Sequence, residues 1–499
     1  MRTSVLGGAR GRYDRAGMEI DGWHSFAYFW PEAALGVSAL AVGLLSGLER
    51  LDRGALGELA ILGASLSVFF AARLAGWGEV WIFERTFVVD GFAVFFKILI
   101  GVTTVGVLWI ALEPASRAAT RARACVLVLL AALGLNLMVS AASLWMAFLA
   151  VELASLALWT LLHEPESPAT PLAGARTARG VGAAMLCAVA WLAGFSRSGD
   201  YEDVHRALFE LAPYGPASLA VAIAVVLSAF PLRALVSASG REPSQAPALD
   251  AFVAIGFTAA GLALSMRVLF PVLSTPGAEG RWAHAAGLDW PRALSAAAVG
   301  AMTVGNLGAL RERSLRRLLV ATAIAHVGYA LIAVAAASER GFQASLFYVA
   351  SFCIPALGAF HLAASIEAAK GSDGAEALRG LLRGRQAPIG VALALFVLSR
   401  AGAPLTIGCR AKLHVFATAL DQGLGGLVVA AAINGVLSAW AYARVLLAMS
   451  GSSVNGPSMR LSAYDASLSA ALAAATVGFG VYESPLFDLA GRSIHLLPR

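Results

Sequence analysis

The sequence predicts an all-α polytopic membrane protein with about 14 transmembrane helices. Of its 499 residues, 59% are hydrophobic and only 14% are charged, whereas an ordinary soluble domain has about 25% charged residues. Apolar segments recur along the whole chain, and their lengths are close to the roughly 20 residues that a bilayer crossing requires. These segments are predicted to be helical, because lipid cannot satisfy an open backbone. The composition excludes a soluble enzyme, a disordered chain and a secreted disulfide scaffold.

The apolar segments follow one another at short intervals, separated by loops that carry most of the arginines. Alanine and glycine are abundant within them, as close packing of helices in a membrane requires. The predicted segments are 26–48, 56–76, 90–112, 122–139, 141–162, 179–196, 217–238, 248–271, 294–310, 318–337, 343–367, 388–420 with an interruption, 424–449 and 465–483.

One membrane domain, residues 26–485, accounts for nearly the whole chain, since no polar stretch is long enough for a soluble domain. Residues 1–25 are expected to form an N-terminal tail, in which Met18 is a possible true start, and 486–499 a C-terminal tail. Basic residues are more frequent in the loops that follow odd-numbered segments. The positive-inside rule therefore predicts that both termini lie on the outer side of the membrane.

Cofactor and metal sites are not expected in this chain. The four cysteines lie in apolar context and form no CxxC pair, which favours small buried side chains over iron–sulfur, haem or zinc ligation. The net charge of +6 comes from scattered arginines rather than a dense basic run, so no nucleic-acid partner is expected.

Ionisable residues inside apolar segments are the candidates for function, since a charge at mid-membrane is costly. Glu152 has apolar flanks on both sides; it is either a functional carboxylate or a structural one paired to another helix. Lys412 follows a stretch in which Gly402, Pro404 and Gly408 should break a helix. Broken helices in membranes line protein interiors or water-filled cavities, so Lys412 is well placed to titrate, unless it snorkels to an interface.

Further ionisable side chains lie within the apolar segments, and His326, Asp90 and Lys97 are among them. His326 could relay protons, because imidazole titrates near neutral pH, or it could be a neutral core residue with a satisfied hydrogen bond. Asp90 and Lys97 are two helical turns apart and too distant for a direct pair. Their position near the start of the third segment favours a role at the membrane interface.

Several long stretches in order resemble subunit N of bacterial NADH-quinone oxidoreductase, respiratory complex I. The first are PEAAL at Pro31, FVVDGFAVFFKILI and LAALGLNLMVSAASLWMAFLAVELASLALWTLL. They are followed by VGNLGALRERSLRRLLVATAIAHVGYALI, SLFYVASFCIPALGAF, LSRAGAPLTIGCRAKLHVF and NGVLSAWAYARVLLAM. The resemblance spans roughly residues 26–450, within a broader family that includes cation/proton antiporter and membrane hydrogenase subunits.

The resemblance implies fourteen helices with two inverted five-helix repeats, here 122–271 and 294–449, and broken helices 7 and 12. It also implies a proton half-channel built on a fifth-helix glutamate and on lysines in helices 7, 8 and 12. By position, the glutamate corresponds to Glu152, the twelfth-helix lysine to Lys412 and the family's histidine to His326.

Four positions depart from the family's pattern. Val226 replaces the seventh-helix lysine, and Thr258 lies where the eighth-helix lysine is expected. Arg233 occupies the family's histidine position two turns beyond Val226, and Arg400 stands where the family has an apolar residue. Arginine stays protonated in proteins, so Arg233 could bias Glu152 electrostatically without exchanging a proton.

The resemblance implies a multi-pass subunit of the bacterial inner membrane that contributes to proton translocation. Quinone, NADH, FMN and iron–sulfur clusters are then expected in partner membrane and peripheral subunits, and no redox chemistry in this chain. Two alternatives stay open. One is a structural paralogue that no longer conducts, suggested by Val226 and Thr258. The other is a subunit of a multisubunit cation/proton antiporter or a membrane-bound hydrogenase.

Overall fold

A computed structural model describes most of the chain. The described residues are 13–14, 17–20, 22–47, 53–111, 118–162, 172–210, 247–277, 282–284, 289–452 and 459–494.

Helices make up nearly all of the first half of the described chain. A short 3₁₀ turn, Gly22–Tyr28, meets the first long helix at an angle of 81°. The helices are α1 Trp30–Leu45, α2 Arg53–Arg73, α3 Gly91–Ala111, α4 Ala118–Ser140, α5 Leu144–Leu162, α6 Leu172–Ser196 and α7 Tyr201–Glu210.

The second half continues the helical architecture, with serine or aspartate side chains capping four of the helix N-termini. A π-helical turn, Val253–Phe257, joins α8 to α9. The helices are α8 Pro247–Phe252, α9 Thr258–Leu269, α10 Trp290–Arg311, α11 Leu315–Ala335, α12 Glu339–Lys370, α13 Ala375–Leu378, α14 Ala387–Ala401, α15 Ile407–Asp421, α16 Gly425–Ser450, α17 Ala463–Val481 and α18 Ser484–Arg492.

Ten helices among the described residues are long and apolar enough to cross a membrane, or eleven crossings if the bent pair at the N-terminus counts as one. The buried fraction of each helix distinguishes central helices from peripheral ones. The apolar windows of α11 and α12 are each 94% buried, whereas that of α17 is 17% buried. Since a peripheral helix in a membrane protein meets lipid or a neighbouring chain, α11 and α12 form the centre of the second half.

Short strands lie at one end of the first three helices. β1 Tyr13–Asp14, β2 Gly17–Ile20, β3 Val80–Ile82 and β4 Phe87–Val89 form one sheet in that order, in which β2 and β3 are parallel. A second hairpin pairs β5 Ser274–Pro276 with β6 Trp282–His284. Part of the predicted N-terminal tail, 1–25, therefore pairs with the loop between α2 and α3.

Each apolar segment predicted within the described residues corresponds to a helix or a broken helix. The seventh segment, 217–238, lies outside the described residues, and so does any break within it. The predicted interruption of segment 388–420 is present, because α14 ends at Ala401 and α15 begins at Ile407. Close packing of α10 on α11 depends on glycine: a Cβ at Gly328 would lie 2.6 Å from the carbonyl oxygen of Ala298.

Candidate proton-transfer site

The break between α14 and α15 brings the Lys412 side chain to the end of a helix. Gly402 ends α14 in the left-handed conformation, at φ +94°, and a Cβ there would lie 3.0 Å from Lys412 Cδ. Glycine is therefore required both for the turn and for the space that the lysine occupies.

The last carbonyl groups of α14 hold the lysine ammonium. Lys412 Nζ donates hydrogen bonds to the carbonyl oxygens of Ala401, at 2.7 Å, and Arg400, at 3.2 Å. These carbonyls have no partner within the helix and carry the negative end of its dipole, so they stabilise a cation. The face of the Tyr329 ring adds a further contact, 4.9 Å from Nζ.

His326 reaches the same place from α11. Its Nδ1 is 2.8 Å from the hydroxyl oxygen of Tyr348 on α12, and the imidazole is buried. His326, Tyr348 and Lys412 line one cavity of about 10 Å³, which is about the space of one water molecule. The structure thus brings together two of the four predicted site residues, His326 and Lys412.

A third nitrogen-bearing side chain, Arg400, lines this cavity and is only 1% exposed. Its Nη2 donates to Thr322 Oγ1 at 2.7 Å and to the Leu319 carbonyl at 3.2 Å, while Nε donates to the Tyr442 hydroxyl at 3.0 Å. The guanidinium also lies over the Phe352 ring, 4.8 Å from its centroid. Arg400 is thus part of the cavity wall, a position that its departure from the family's pattern did not indicate.

Glu152 lies in a different part of the molecule. It is partly buried on α5, and α5 packs against α4 and α6. The helix that carries Lys412 packs instead against α11, α12, α14, α16 and α17. The structure therefore does not place Glu152 beside the Lys412 cavity.

The remaining predicted positions concern the first half of the chain. Arg233 and Val226 lie outside the described residues. Thr258, at the position of the family's eighth-helix lysine, is 1% exposed and begins α9 directly after the π-helical turn. Within the described chain its hydroxyl has no hydrogen-bond partner. No base therefore replaces the missing lysine at that position.

Asp90 and Lys97, for which the sequence favoured a role at the membrane interface, each form a buried ion pair. Lys97 Nζ is 2.7 Å from Glu32 Oε1, and both side chains are 1% exposed. Arg267 donates two hydrogen bonds of 2.6 Å to Asp90. Asp90 and Lys97 do not pair with each other, as expected from their spacing; each pairs instead with a residue of a different helix inside the bundle. The sequence did contain a signal for these pairs: residues of opposite charge occur in separate apolar segments, and such residues usually pair inside a membrane.

No cluster of three or more metal-ligating side chains occurs in the described part of the chain. The chemistry that the described site supports is proton transfer between nitrogen bases and hydroxyl groups in a small polar cavity.

Comparison with known proteins identifies the family. Residues 141–438 match the family model "NADH:quinone oxidoreductase/Mrp antiporter, TM". The chain is 29% identical to NADH-quinone oxidoreductase subunit N 2 of Sorangium cellulosum, over 96% of this chain and 99% of the relative. It is 31% identical to NADH-quinone oxidoreductase subunit N of Geobacillus kaustophilus, over 83% of this chain and 86% of the relative.

Among solved structures, respiratory complex I from Thermus thermophilus with bound aureothin contains a chain of the same fold. The TM-score is 0.73, with 24% identity over 92% of this chain and 99% of that chain. The fold and the sequence matches agree, and the chain belongs to the NADH:quinone oxidoreductase/Mrp antiporter transmembrane family, where the relatives it resembles are N subunits.

Proposed function

We propose that this chain is a membrane subunit of a complex I-like NADH-quinone oxidoreductase and that it conducts protons across the bacterial inner membrane. Near full-length similarity to N subunits supports the assembly. NADH, FMN, iron–sulfur clusters and quinone would belong to partner subunits, which supply the redox energy. The observation that carries the conducting role is the shared cavity of Lys412 and His326 beside a broken helix.

In this proposal Lys412 is the terminal proton donor. Its ammonium is held by the α14 carbonyls of Arg400 and Ala401, and loss of the proton removes that attraction. The hydrogen-bonded pair of His326 and Tyr348 can pass a proton into the cavity, because imidazole and phenol both donate and accept.

Glu152 and Arg233 have proposed roles in the first half of the molecule. Glu152 would be the carboxylate whose charge couples this chain to its neighbours. Arg233 would supply a fixed positive charge in place of a titrating lysine, because arginine keeps its proton. The partly buried position of Glu152 on an apolar helix supports a functional carboxylate.

The topology proposed for the whole chain has fourteen crossings and two inverted repeats, 122–271 and 294–449. The membrane domain would extend over 26–485, with tails at 1–25 and 486–499 and both termini on the outer side. The break between α14 and α15 supports one of the two broken helices.

The assembly is tested by affinity purification of the tagged chain from its native membranes in mild detergent, followed by mass spectrometry. We expect subunits of an NADH-quinone oxidoreductase to copurify. Recovery of antiporter or hydrogenase subunits instead, or of no membrane partner, would refute the proposed assembly and leave the fold unchanged. A tagged membrane protein of an unrelated family, purified in parallel, controls for nonspecific recovery.

A further inference from the structure

We propose that Arg400 is a fixed positive charge that sets the pH at which Lys412 gains and loses its proton. This inference deepens the proposed function and rests on it, because Lys412 is the residue proposed to release protons. In the resemblance described above, Arg400 departs from the family's pattern, which has an apolar residue there.

The hydrogen-bond partners of Arg400 are neutral. Its hydrogen bonds go to the Thr322 hydroxyl, the Leu319 carbonyl and the Tyr442 hydroxyl. Its Nη1 atom is buried without a hydrogen-bond partner among the described residues. No Asp or Glu in that part of the chain forms an ion pair with Arg400. A buried guanidinium without a carboxylate is a strong local source of positive potential.

Lys412 is the second cation of the same cavity. Its bonds also go to neutral groups, the carbonyls of Arg400 and Ala401, and its ammonium faces the Tyr329 ring. Two neighbouring positive charges in a region of low dielectric repel each other strongly. Arginine cannot release its proton, whereas lysine can. The repulsion therefore favours neutral Lys412 and makes its proton easier to release.

Arg400 also lies close to His326, because the Phe352 ring contacts both side chains. This ring lies 4.8 Å from the His326 ring centroid and 4.8 Å from Arg400 Cζ. Arg400 thus also disfavours a positive charge on His326. A proton that enters the cavity can therefore bind to Lys412 or to His326, and the charge of Arg400 weakens its binding to both. Weak binding favours transfer of the proton onward.

The other ionisable groups near α15 do not offset this charge. The cavity and the helices around it contribute thiols and phenols, which are ordinarily neutral at physiological pH. α15 and its contacts contribute two charged clusters: His414 and Arg410 with Glu483, and Asp421 with Arg340, whose Nη1 atom is 3.1 Å from the Asp421 carboxylate. The thiols and phenols are those of Tyr329, Tyr348, Cys353, Tyr442 and Cys409, and His414 and Arg410 lie 3.3 Å and 3.8 Å from Glu483. Asp465 of α17 contacts Trp109 and His361.

The small number of lysines makes a direct test possible. Lys97, Lys370 and Lys412 are the only lysines of the chain, so ¹⁵Nζ labelling of the full chain in lipid gives three NMR signals. Their chemical shifts distinguish ammonium from amine as pH is varied. The signal that disappears in Lys412→Arg identifies Lys412.

In the wild-type chain we expect the Lys412 signal to change to the amine below the ordinary lysine value of about 10.4. Arg400→Gln and Arg400→Leu, the second restoring an apolar side chain, should raise the Lys412 midpoint by about one to two pH units. Arg410→Gln removes an arginine of α15 that lies 3.8 Å from Glu483, outside the cavity, and serves as the matched control, with a midpoint close to that of the wild type.

An unchanged midpoint in a neutral variant would overturn the inference. If neither neutral variant folds, the wild-type titration decides: a Lys412 signal that remains an ammonium up to about pH 10.4, the ordinary lysine value, contradicts the inference. The measurement does not require pumping, so it separates this inference from the proposed function. A low Lys412 midpoint that rises in the Arg400 variants, in a complex that pumps equally well without Lys412, would uphold the electrostatics and refute the conducting role.

Discussion

Lys97 and Asp90 show how single charges are tolerated inside this bundle. Lys97 lies within hydrogen-bond distance of Glu32, and Asp90 accepts two hydrogen bonds from Arg267. Each pair crosses between helices that are distant in sequence, so it fixes their relative position. Removing one partner leaves the other buried without compensation, which costs more than the pair contributes.

The pair of Asp90 and Arg267 gives a prediction for stability. Asp90→Asn should destabilise the folded chain by about 3–5 kcal/mol, because the Arg267 guanidinium stays buried without its carboxylate. Asparagine still accepts the Ala93 N–H that Asp90 accepts at 2.7 Å. Adding Arg267→Met should restore most of the loss. Thermal or denaturant unfolding of the purified chain measures both changes.

The matched control is Asp289→Asn, which removes an ion pair to the 87% exposed Arg292 side chain. Its cost should be about 0–1 kcal/mol. Equal losses for the exposed and the buried variants would contradict the assignment of Asp90 and Arg267 as a structural pair.

Glu79, in the loop between α2 and β3, gives a pH-dependent prediction. Burial, together with the neighbouring Asp90 carboxylate, raises the pKa of Glu79 from 4.5 to about 7. Because the folded chain holds this proton more tightly than the unfolded chain, its stability contribution is complete below pH 4.5 and falls as pH rises through 7. Glu79→Gln should therefore raise the melting temperature at pH 8 and leave it unchanged at pH 4.

Melting curves of wild type and Glu79→Gln at the two pH values provide the measurement. Glu84→Gln, in the same connection between α2 and α3, serves as the control. The same change in melting temperature at both pH values would show that Glu79 carries no raised pKa.

At the scale of elements, the break between α14 and α15 depends on glycines as well as on proline. Gly402 supplies the left-handed turn, and Gly408 allows α15 to approach the Ser399 carbonyl oxygen so closely that a Cβ would collide with it. The sequence pattern of Gly402, Pro404 and Gly408 predicted the break, and the structure confirms it. The pattern did not indicate that the released carbonyls hold Lys412.

Gly408→Ala should separate α14 from α15 and cost about 1–3 kcal/mol through overpacking. The same substitution at Gly300 in α10 is the control, because nothing lies within 4 Å of a Cβ there. Gly300→Ala should be neutral or stabilise by up to about 1 kcal/mol. Unfolding measurements on both variants decide the point, and a neutral Gly408→Ala would contradict the described contact.

At the scale of the whole molecule, apolar length predicted most of the architecture, because lipid leaves the backbone few alternatives. The partners of individual charges could not be predicted, since they depend on which helices become neighbours. Glu32, on the first helix, and Lys97, on the third, illustrate this point. Lys412 and His326 were each identifiable as ionisable residues in apolar context, but their common cavity follows only from the packing of α11, α12, α14 and α15.

The orientation of the chain is a prediction at this same scale. The distribution of arginines predicts that both termini lie on the outer side. Alkaline phosphatase, which is active only outside the cytoplasm, should therefore be active when fused after residue 499 and inactive when fused within the loop between α12 and α14. The reverse pattern of activity would invert the proposed topology.

The most direct test of the central claim is proton translocation per NADH oxidised, measured in inverted membrane vesicles that carry Lys412→Ala. Lys370→Ala is the matched control, because Lys370 lies at the end of α12, where its ammonium donates to the Ala377 carbonyl at 2.7 Å. The account predicts that Lys412→Ala lowers the ratio while the complex still assembles, and that Lys370→Ala keeps the wild-type ratio. A wild-type ratio in the Lys412→Ala complex would contradict the claim that this chain conducts protons through Lys412.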